Sequence, residues 1–381
     1  MLAVGLMSGT SLDGVDAVLC DIQGVDTQTT VKQIAFDTYP LPENLREKIA
    51  LCCENKSVTA GHICSLNFEI GLLFAQAVKN ICQKGNVCTK DLAFVASHGQ
   101  TLYHIPKDTS EYVAGTLQIG EPAIIAQQCG CLVISNFRTK DMAWSGEGAP
   151  LVPFSEYILY RDQYHSVGLQ NIGGIGNVTI LPANTGLESV YAFDTGPGNM
   201  MIDYAMQVLY GKPFDDCGNI ARTGHLILPL CNELIGHPYM LQKPPKSTGR
   251  EMFGVPYTEY LLQRYSAYSR EDLISTLTWF TSWSIAESYR RFVFPKNFLD
   301  EVILGGGGAH NLAIQKFLKQ ELKSIRIVTQ EEKGFSSDAK EAVAFVILGN
   351  QTLYRKPSNV PNATGARQAA ILGQITYPDL I

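Results

Sequence analysis

Two stretches of the chain share a plan that few folds can accommodate. Leu2 to Met7 is a short apolar run, Ser8 to Gly14 is a polar turn, and Val15 to Ile22 alternates Val15, Ala17 and Leu19 against Asp16 and Asp21. A two-residue period is that of a half-buried strand, so the segment reads as a β-hairpin with a glycine-containing tip. The same plan recurs at Val167 to Leu181, where Gly168-Leu169-Gln170 leads into Asn171-Ile172-Gly173-Gly174-Ile175-Gly176-Asn177 and then Val178-Thr179-Ile180. Two such hairpins opening two halves of one chain imply an internal structural duplication. The length of 381 residues agrees, since at roughly 150 residues per domain it suits two cores.

The rest of each half alternates strands with helices. The first carries a helical pattern at Leu66 to Cys82 and strands at Leu92 to Ala96 and Leu132 to Ser135. The second has strand Tyr191 to Phe193, helix Met200 to Leu209 and a long amphipathic helix from about Glu271 to Phe294 that ends on Arg290 and Arg291, as the helix dipole favours. Strand Glu301 to Leu304, helix Leu312 to Leu322, strand Ile325 to Val328 and helix Asp338 to Leu348 follow. This order predicts α/β layers. Lys356 to Thr364, rich in Pro, Asn and Ser, reads as a linker, after which Ala366 to Ile375 folds back on the first half. The expected domains are therefore 1–136 with 360–381, and 137–359.

Composition removes several function classes. With 45% hydrophobic and 17% charged residues, the chain is neither disordered nor a coiled coil. Thirty basic against 36 acidic residues, a net charge of −6 and no basic block argue against nucleic acid as a partner. No run reaches the ~20 apolar residues of a membrane helix, and MLAVGLMSGTSLDG has no positively charged leader pattern, so a cytoplasmic protein is expected. Ten cysteines without regular spacing read as reduced thiols, and Cys129-Gly130-Cys131 lacks a second ligand pair for zinc.

The chemistry-bearing residues cluster in a few loops. Gly9, Thr10, Ser11, Leu12, Asp13, Gly14, Val15 and Asp16 combine bare backbone N–H groups, hydroxyls and carboxylates, a set that can cradle phosphate and hold a hydrated Mg²⁺ through Asp13. No GK[ST] follows, so it is not a Walker A loop. On this reading valine at Gly9 or Gly14 weakens phosphate binding. Phe193-Asp194-Thr195-Gly196-Pro197-Gly198-Asn199 puts one carboxylate at the end of an apolar strand, and Asp194 is the first choice for a catalytic base; the competing reading is a helix cap. Aspartic proteases need two such loops, and the chain has one.

Gly305 to Gly308 and Asn311 form a strand-to-helix turn on which a nucleotide can lie against bare backbone. The glycines at 173–176 mimic a dinucleotide motif only partly, since Thr179 replaces the third glycine and a strand follows. Ser97-His98-Gly99-Gln100-Thr101, after a strand, offers neutral hydrogen-bonding groups to a polyhydroxylated ligand. Arg138 and Arg250 are candidates for an anionic group, because a guanidinium pairs bidentately with carboxylate or phosphate. Residues 136–148 read as a hinge, and Glu341, three after Asp338, as a helix cap.

Together and in order, MSGTSLDGVD, SHGQT, GEGAPLVPF, NIGGIGNVT, FDTGPGN, PPKSTGREMF, GGGGAHN and DAKEAVAF resemble the bacterial anhydro-N-acetylmuramic acid kinases, from Gly5 to Gly373. That family belongs to the sugar kinase, Hsp70 and actin superfamily, so the resemblance implies two ribonuclease-H-like domains with an interdomain ATP cleft. By position it implies that residues 9–16 face the ATP phosphates, that Gly174, Gly196, Gly306, Gly307 and Asn311 approach the nucleotide, and that Asp194 is the catalytic aspartate. It implies that Glu341 lies near the sugar, beside His98, Gln100, Thr101, Arg138 and Arg250. The reaction implied opens a 1,6-anhydro ring with water and phosphorylates O6, with ATP and Mg²⁺, in peptidoglycan recycling; a homodimer is compatible with it. Two places depart from the family pattern: Asn136 stands where Asp is frequent, and Trp144-Ser145-Gly146-Glu147 replaces a more glycine-rich run ending in Gln. Two other classes compete, an actin-like or Hsp70-like ATPase that turns over ATP without sugar, and a non-catalytic sugar or nucleotide sensor in which Asp194 is dispensable.

Overall fold

A computed structural model describes residues 1–9, 12–53, 58–244 and 246–379. The strands are β1 (Leu2–Ser8), β2 (Gly14–Gln23), β3 (Thr30–Pro40), β4 (Phe94–Ile105), β5 (Gly115–Ile119) and β6 (Leu132–Ser135). They continue as β7 (Val167–Ile172), β8 (Ile175–Leu181), β9 (Tyr191–Pro197), β10 (Glu301–Gly305), β11 (Arg326–Thr329) and β12 (Gln374–Thr376). Two compact units result, one of residues 1–159 with 338–381 and one of residues 160–337.

The first sheet runs β12-β6-β4-β1-β2-β3, with β5 beside β4. The second runs β11-β10-β7-β8-β9. In both, a three-strand antiparallel meander is extended by two parallel strands: β1, β4 and β6 in one, β7, β10 and β11 in the other. The duplication read from the hairpins is thus present in strand order and sense, as two ribonuclease-H-like units require. Parallel strands must be covered on both faces, and β10 accordingly is buried along its whole length.

The units divide at 159/160 and 337/338, so residues 137–159 and 338–359, expected in the second domain, fall in the first unit. The reason lies in the helix Lys340–Leu353, which packs against β1 and β4. A Cβ on Gly5 would sit 2.0 Å from the Ala342 carbonyl oxygen, and one on Gly349 would sit 2.8 Å from the Phe94 ring. Residues 136–148 are likewise internal to the first unit and are no crossing point. Asp141, fully buried, accepts hydrogen bonds from Gly148 N (2.9 Å), Asn359 Nδ2 (2.7 Å) and Thr364 Oγ1 (2.7 Å), which staples this segment to the C-terminal stretch. The hinge expected there is corrected accordingly. The C-terminal return is as expected, with β12 antiparallel to β6.

The helix Arg270–Ser288 is not the amphipathic surface helix that the sequence suggests. Its middle is buried on most sides and carries Ser275, Thr276, Thr278, Thr281, Ser282 and Ser284, several of which bond backbone carbonyls of their own helix. Three of its hydroxyls grip the end of β9 and the residue after it: Thr281 Oγ1 donates to Gly198 O (2.7 Å), Ser288 Oγ donates to Thr195 O (3.1 Å), and Ser284 lies against Gly196. The last turn, Tyr289–Val293, widens to a π-helix, and Tyr289 Oη donates to Gln170 Oε1 at 3.0 Å.

Candidate active site

In the first unit, three parallel strands deliver side chains from their carboxyl ends, the edge at which α/β sheets bind ligands. β1 ends at Ser8, whose hydroxyl donates to Gln100 Oε1 at 2.6 Å; Gln100 Nε2 donates in turn to Gly9 O (3.3 Å) and Thr101 O (3.2 Å). Both ends of the Gln100 amide are thus engaged in bracing the turn after β1. The SHGQT segment does not follow a strand; it lies within β4, which bulges where Gly99 adopts φ +83°. Thr101 Oγ1 accepts from Gln118 Nε2 at 3.2 Å.

His98 is 3% exposed and stacks at 4.8 Å on Phe345. A carbonyl can only accept, so the 2.8 Å contact of Nδ1 with Gly99 O fixes the proton there. Nε2 then accepts from Arg138 Nε (3.0 Å) and Nη2 (2.9 Å), while Arg138 Nη1 donates to Gly148 O at 2.8 Å. Burial, and after it the guanidinium, push the His98 imidazole down to about 3, so it is a neutral support for Arg138. Arg138 faces Glu341 electrostatically. Glu341 sits at the start of the helix Lys340–Leu353, whose N-cap is Ala339 with no side-chain bond, so the capping reading fails. Glu341 is exposed as a residue, yet desolvation by the protein around its carboxyl, and then Asp16, raise its proton affinity against the opposing pull of Lys340 and Arg138.

The tip between β1 and β2 divides by role. Thr10 and Ser11 lie outside the described residues. Leu12 has φ +60°, and its N donates to Gly9 O at 3.4 Å. Val15 is fully buried in the core, so its side chain is not available to a ligand. Gly14 is required by packing: a Cβ would lie 2.7 Å from Tyr39 O of β3. Valine there would clash with β3, so a loss of phosphate binding in that variant would not by itself report a ligand contact. Asp13 is exposed, and Asp16 accepts from Thr38 Oγ1 at 2.6 Å. Burial raises the Asp16 carboxyl, with Asp338 and Asp13 adding to it against the Thr38 bond.

In the second unit Asp194 lies on β9, half-buried. Its Oδ2 accepts from Thr248 N at 2.9 Å, and among the described residues Oδ1 accepts nothing. The helix Met200–Tyr210 is instead preceded by Asn199, so Asp194 is no cap. Burial first raises the Asp194 carboxyl and Glu251 adds to this, whereas the Thr248 N–H and the Lys246 ammonium lower it. A carboxylate with one oxygen clamped, one open and a raised proton affinity has the properties of a general base.

The glycines around it fall into two sets. Gly196 (φ +134°) and Gly306 (φ +77°) hold backbone conformations that side chains disfavour, and a Cβ on Gly198 would meet Gly173 O at 2.1 Å. Gly173, Gly174 and Gly307 are different, since a Cβ there meets nothing nearer than 3.7, 3.8 and 3.8 Å. Packing does not demand these three, and their bare backbone remains approachable. They sit where the β7/β8 hairpin and the end of β10 come together, held by Gly198 N→Gly174 O (2.9 Å), Asn199 N→Gly173 O (2.7 Å) and Asn199 Nδ2→Ile172 O (3.2 Å). Asn311 is buried and caps the helix Leu312–Glu321 through Oδ1. Arg250 is exposed and, among the described residues, forms no ion pair.

Two residues that sequence reasoning passed over matter here. Lys246 is buried beside Asp194, although a lysine in a Pro- and Ser-containing stretch reads as solvated. Tyr239, also buried, donates its Oη to Asp194 O at 2.7 Å. Among the described residues no group of three or more His, Cys, Asp or Glu side chains forms a preassembled metal site, and no helix is long and apolar enough to cross a membrane.

A family model described as anhydro-N-acetylmuramic acid kinase matches residues 1–378. The anhydro-N-acetylmuramic acid kinase of Clostridioides difficile (strain 630) is 50% identical over 376 residues, covering 99% of this chain and 98% of that protein. That of Bacillus cereus (strain Q1) is 49% identical over 384 residues and all of both chains. Among solved structures, the activator of the 2-hydroxyisocaproyl-CoA dehydratase from Clostridium difficile with bound ADPNP is similar at 12% identity and a TM-score of 0.47, over 93% of this chain and 97% of that one.

Proposed function

The chain belongs to the anhydro-N-acetylmuramic acid kinase family, and from that premise we propose that it opens the 1,6-anhydro ring of anhydro-N-acetylmuramic acid with water and transfers the γ-phosphoryl group of ATP to O6. The products are N-acetylmuramate 6-phosphate and ADP. One observation carries the reading within the molecule: Asp194 has Oδ2 clamped by Thr248 N, Oδ1 open among the described residues, and a raised proton affinity.

In the proposed step Asp194 Oδ1 takes a proton from water as the water oxygen bonds to C1. The C1–O6 bond breaks, its electron pair passes to O6, and O6 bonds to the γ-phosphorus as the bond to ADP breaks. Because the leaving oxygen is captured by phosphorus, no second carboxylate is needed to protonate it. Thr248 N–H orients the base, and Gly173, Gly174 and Gly307 offer N–H groups to phosphate or ribose oxygens. In the first unit Arg138, held by His98 and Gly148, and Glu341 are the groups offered to the sugar. Asp13 and Asp16 fit a hydrated Mg²⁺, since the Asp16 carboxyl already feels the repulsion of Asp13 and Asp338 that a cation relieves. When bound, Mg²⁺ offsets charge on the transferring phosphoryl group.

ADP release measured with and without the anhydrosugar tests the reading. One ADP per sugar phosphate, with negligible ATP hydrolysis in the absence of sugar, is expected; sugar-independent turnover is the result of an actin-like ATPase.

Two further results are expected. Gly307→Val folds normally and weakens ATP binding at least about ten-fold, roughly 1.4 kcal/mol, because the new side chain enters space that only ligand uses. Gly308→Val instead lowers the melting temperature, since a Cβ there lies 2.3 Å from Ile172 Cγ2. Calorimetry giving wild-type ATP affinity for Gly307→Val rejects the nucleotide assignment. Arg250→Ala raises KM for the anhydrosugar by about ten-fold, the scale of one charge-assisted bond, with little change for ATP or for an analogue lacking the lactyl carboxylate. Equal losses for both sugars would show that Arg250 does not read that carboxylate.

A further inference from the structure

Lys246 is 8% exposed, and its Nζ has no hydrogen-bond partner among the described residues. The ammonium lies 4.3 Å from the centroid of the Tyr239 ring and 4.9 Å from that of Phe292. Two aromatic faces hold the head group in place but do not replace the hydrogen bonds of water, so a charge at this position needs a counter-charge. The groups that face it are the Asp194 carboxylate, which favours the charge, and the Arg291 guanidinium, which opposes it and is itself paired with Glu287 at 2.6 Å. Burial is the largest influence and brings the ammonium down to about 8.

The segment that carries this cation also carries the backbone clamp on Asp194. Asp194 N donates to Lys246 O at 3.1 Å, Thr248 N donates to Asp194 Oδ2 at 2.9 Å, and Tyr239, whose ring faces Nζ, donates its Oη to Asp194 O at 2.7 Å. Among the described residues no ion pair joins Lys246 to Asp194. The cation therefore acts on the carboxylate through space and leaves the open lone pair of Oδ1 uncovered, which a direct contact would not. Against it stand the burial of Asp194 and the Glu251 carboxylate.

We propose that Lys246 is a positioning residue that keeps Asp194 ionised at neutral pH, against burial and Glu251, without occupying the oxygen that receives the proton. This rests on the reading of Asp194 as the base. The charge couples the two residues in both directions: Lys246 supports the carboxylate while protonated, so its effect on activity is read on the acid limb, where Asp194 gains a proton.

The test is the pH profile of kcat/KM for the anhydrosugar at saturating ATP, with wild type, Lys246→Met, Lys246→Arg and Asp194→Asn in one assay. Removing the cation raises the proton affinity of Asp194, so Lys246→Met moves the acid limb up by about one pH unit, lowers kcat at neutral pH several-fold and leaves KM for ATP unchanged. Lys246→Arg keeps the acid limb near its wild-type place, because a guanidinium retains the charge. An acid limb unmoved in Lys246→Met, or a loss confined to KM for the sugar, overturns the proposal. Should the methionine variant fail to fold, Lys246→Gln takes its place, and an acid limb left in place overturns the proposal. An Asp194→Asn enzyme that retains the wild-type acid limb instead rejects the base assignment itself.

Discussion

Asp194→Asn is expected to lower turnover by at least 10² to 10⁴ fold, the range typical of a lost general base, while ATP still binds. The amide keeps the size of the carboxylate and its carbonyl still accepts from Thr248 N, so the tie between β9 and the Thr248 backbone is preserved. What changes is that the second position becomes NH₂, which cannot take a proton from water. The fall should appear in kcat and kcat/KM alike, because the interaction exists only in the transition state. Calorimetry supplies the control: ATP affinity within about three-fold of wild type is required for a chemical rather than a structural defect. A folded variant keeping more than about a tenth of the wild-type rate would remove Asp194 from the role of base.

The second large effect falls on stability. Asp141 lies at 0% exposure with both oxygens engaged, by Gly148 N on one and by Asn359 Nδ2 and Thr364 Oγ1 on the other. Alanine leaves Gly148 N and one Asn359 N–H without an acceptor, at about 1–3 kcal/mol each or roughly 2–6 kcal/mol in all, while Thr364 Oγ1 keeps a 3.4 Å bond to Val360 O. A folded protein has only about 5–15 kcal/mol in reserve. The melting temperature of Asp141→Ala should therefore fall by on the order of 10 °C. Gly146 belongs to the same arrangement, since a Cβ there would lie 2.2 Å from Asp141 Oδ2. A variant melting within a degree or two of wild type would show that the carboxylate does not staple the segment.

Much of the architecture was legible because it rests on local periodicity. The two hairpins, the strand Leu132–Ser135 and the helix after β10 all follow from alternation and capping signals in a few residues. β3 was not legible: as an edge strand it buries only Ala35, so Thr30–Pro40 carries no apolar alternation to read. The helix Arg270–Ser288 misled in the opposite sense, because its buried hydroxyls look polar in sequence and bond carbonyls in the fold.

The candidate site shows the same division. Asp194 was found because a carboxylate at the end of an apolar strand is a local pattern. Gly14 and Gly307 look alike in sequence, yet one is dictated by a neighbouring strand and the other by nothing in the protein, a distinction that only tertiary contacts supply. Gln100 and Asn311 were chosen as polar groups free for a ligand, and the fold engages Gln100 at both ends and Asn311 through its Oδ1. Asn136 has a local explanation, since its φ of +57° is a conformation that asparagine tolerates well. Lys246 escaped notice because burial of a lysine is a property of the folded core and has no signature in the residues beside it.

Turnover in H₂¹⁸O tests most directly whether one carboxylate activates water at C1 while O6 takes the phosphoryl group. The expected product is N-acetylmuramate 6-phosphate with one ¹⁸O in the anomeric hydroxyl and none in the phosphate, analysed by mass spectrometry before the anomeric oxygen exchanges with solvent. Label in the phosphate, or ADP released with no labelled sugar phosphate, would contradict it, for water would then have attacked phosphorus and Asp194 would be the base of an ATPase.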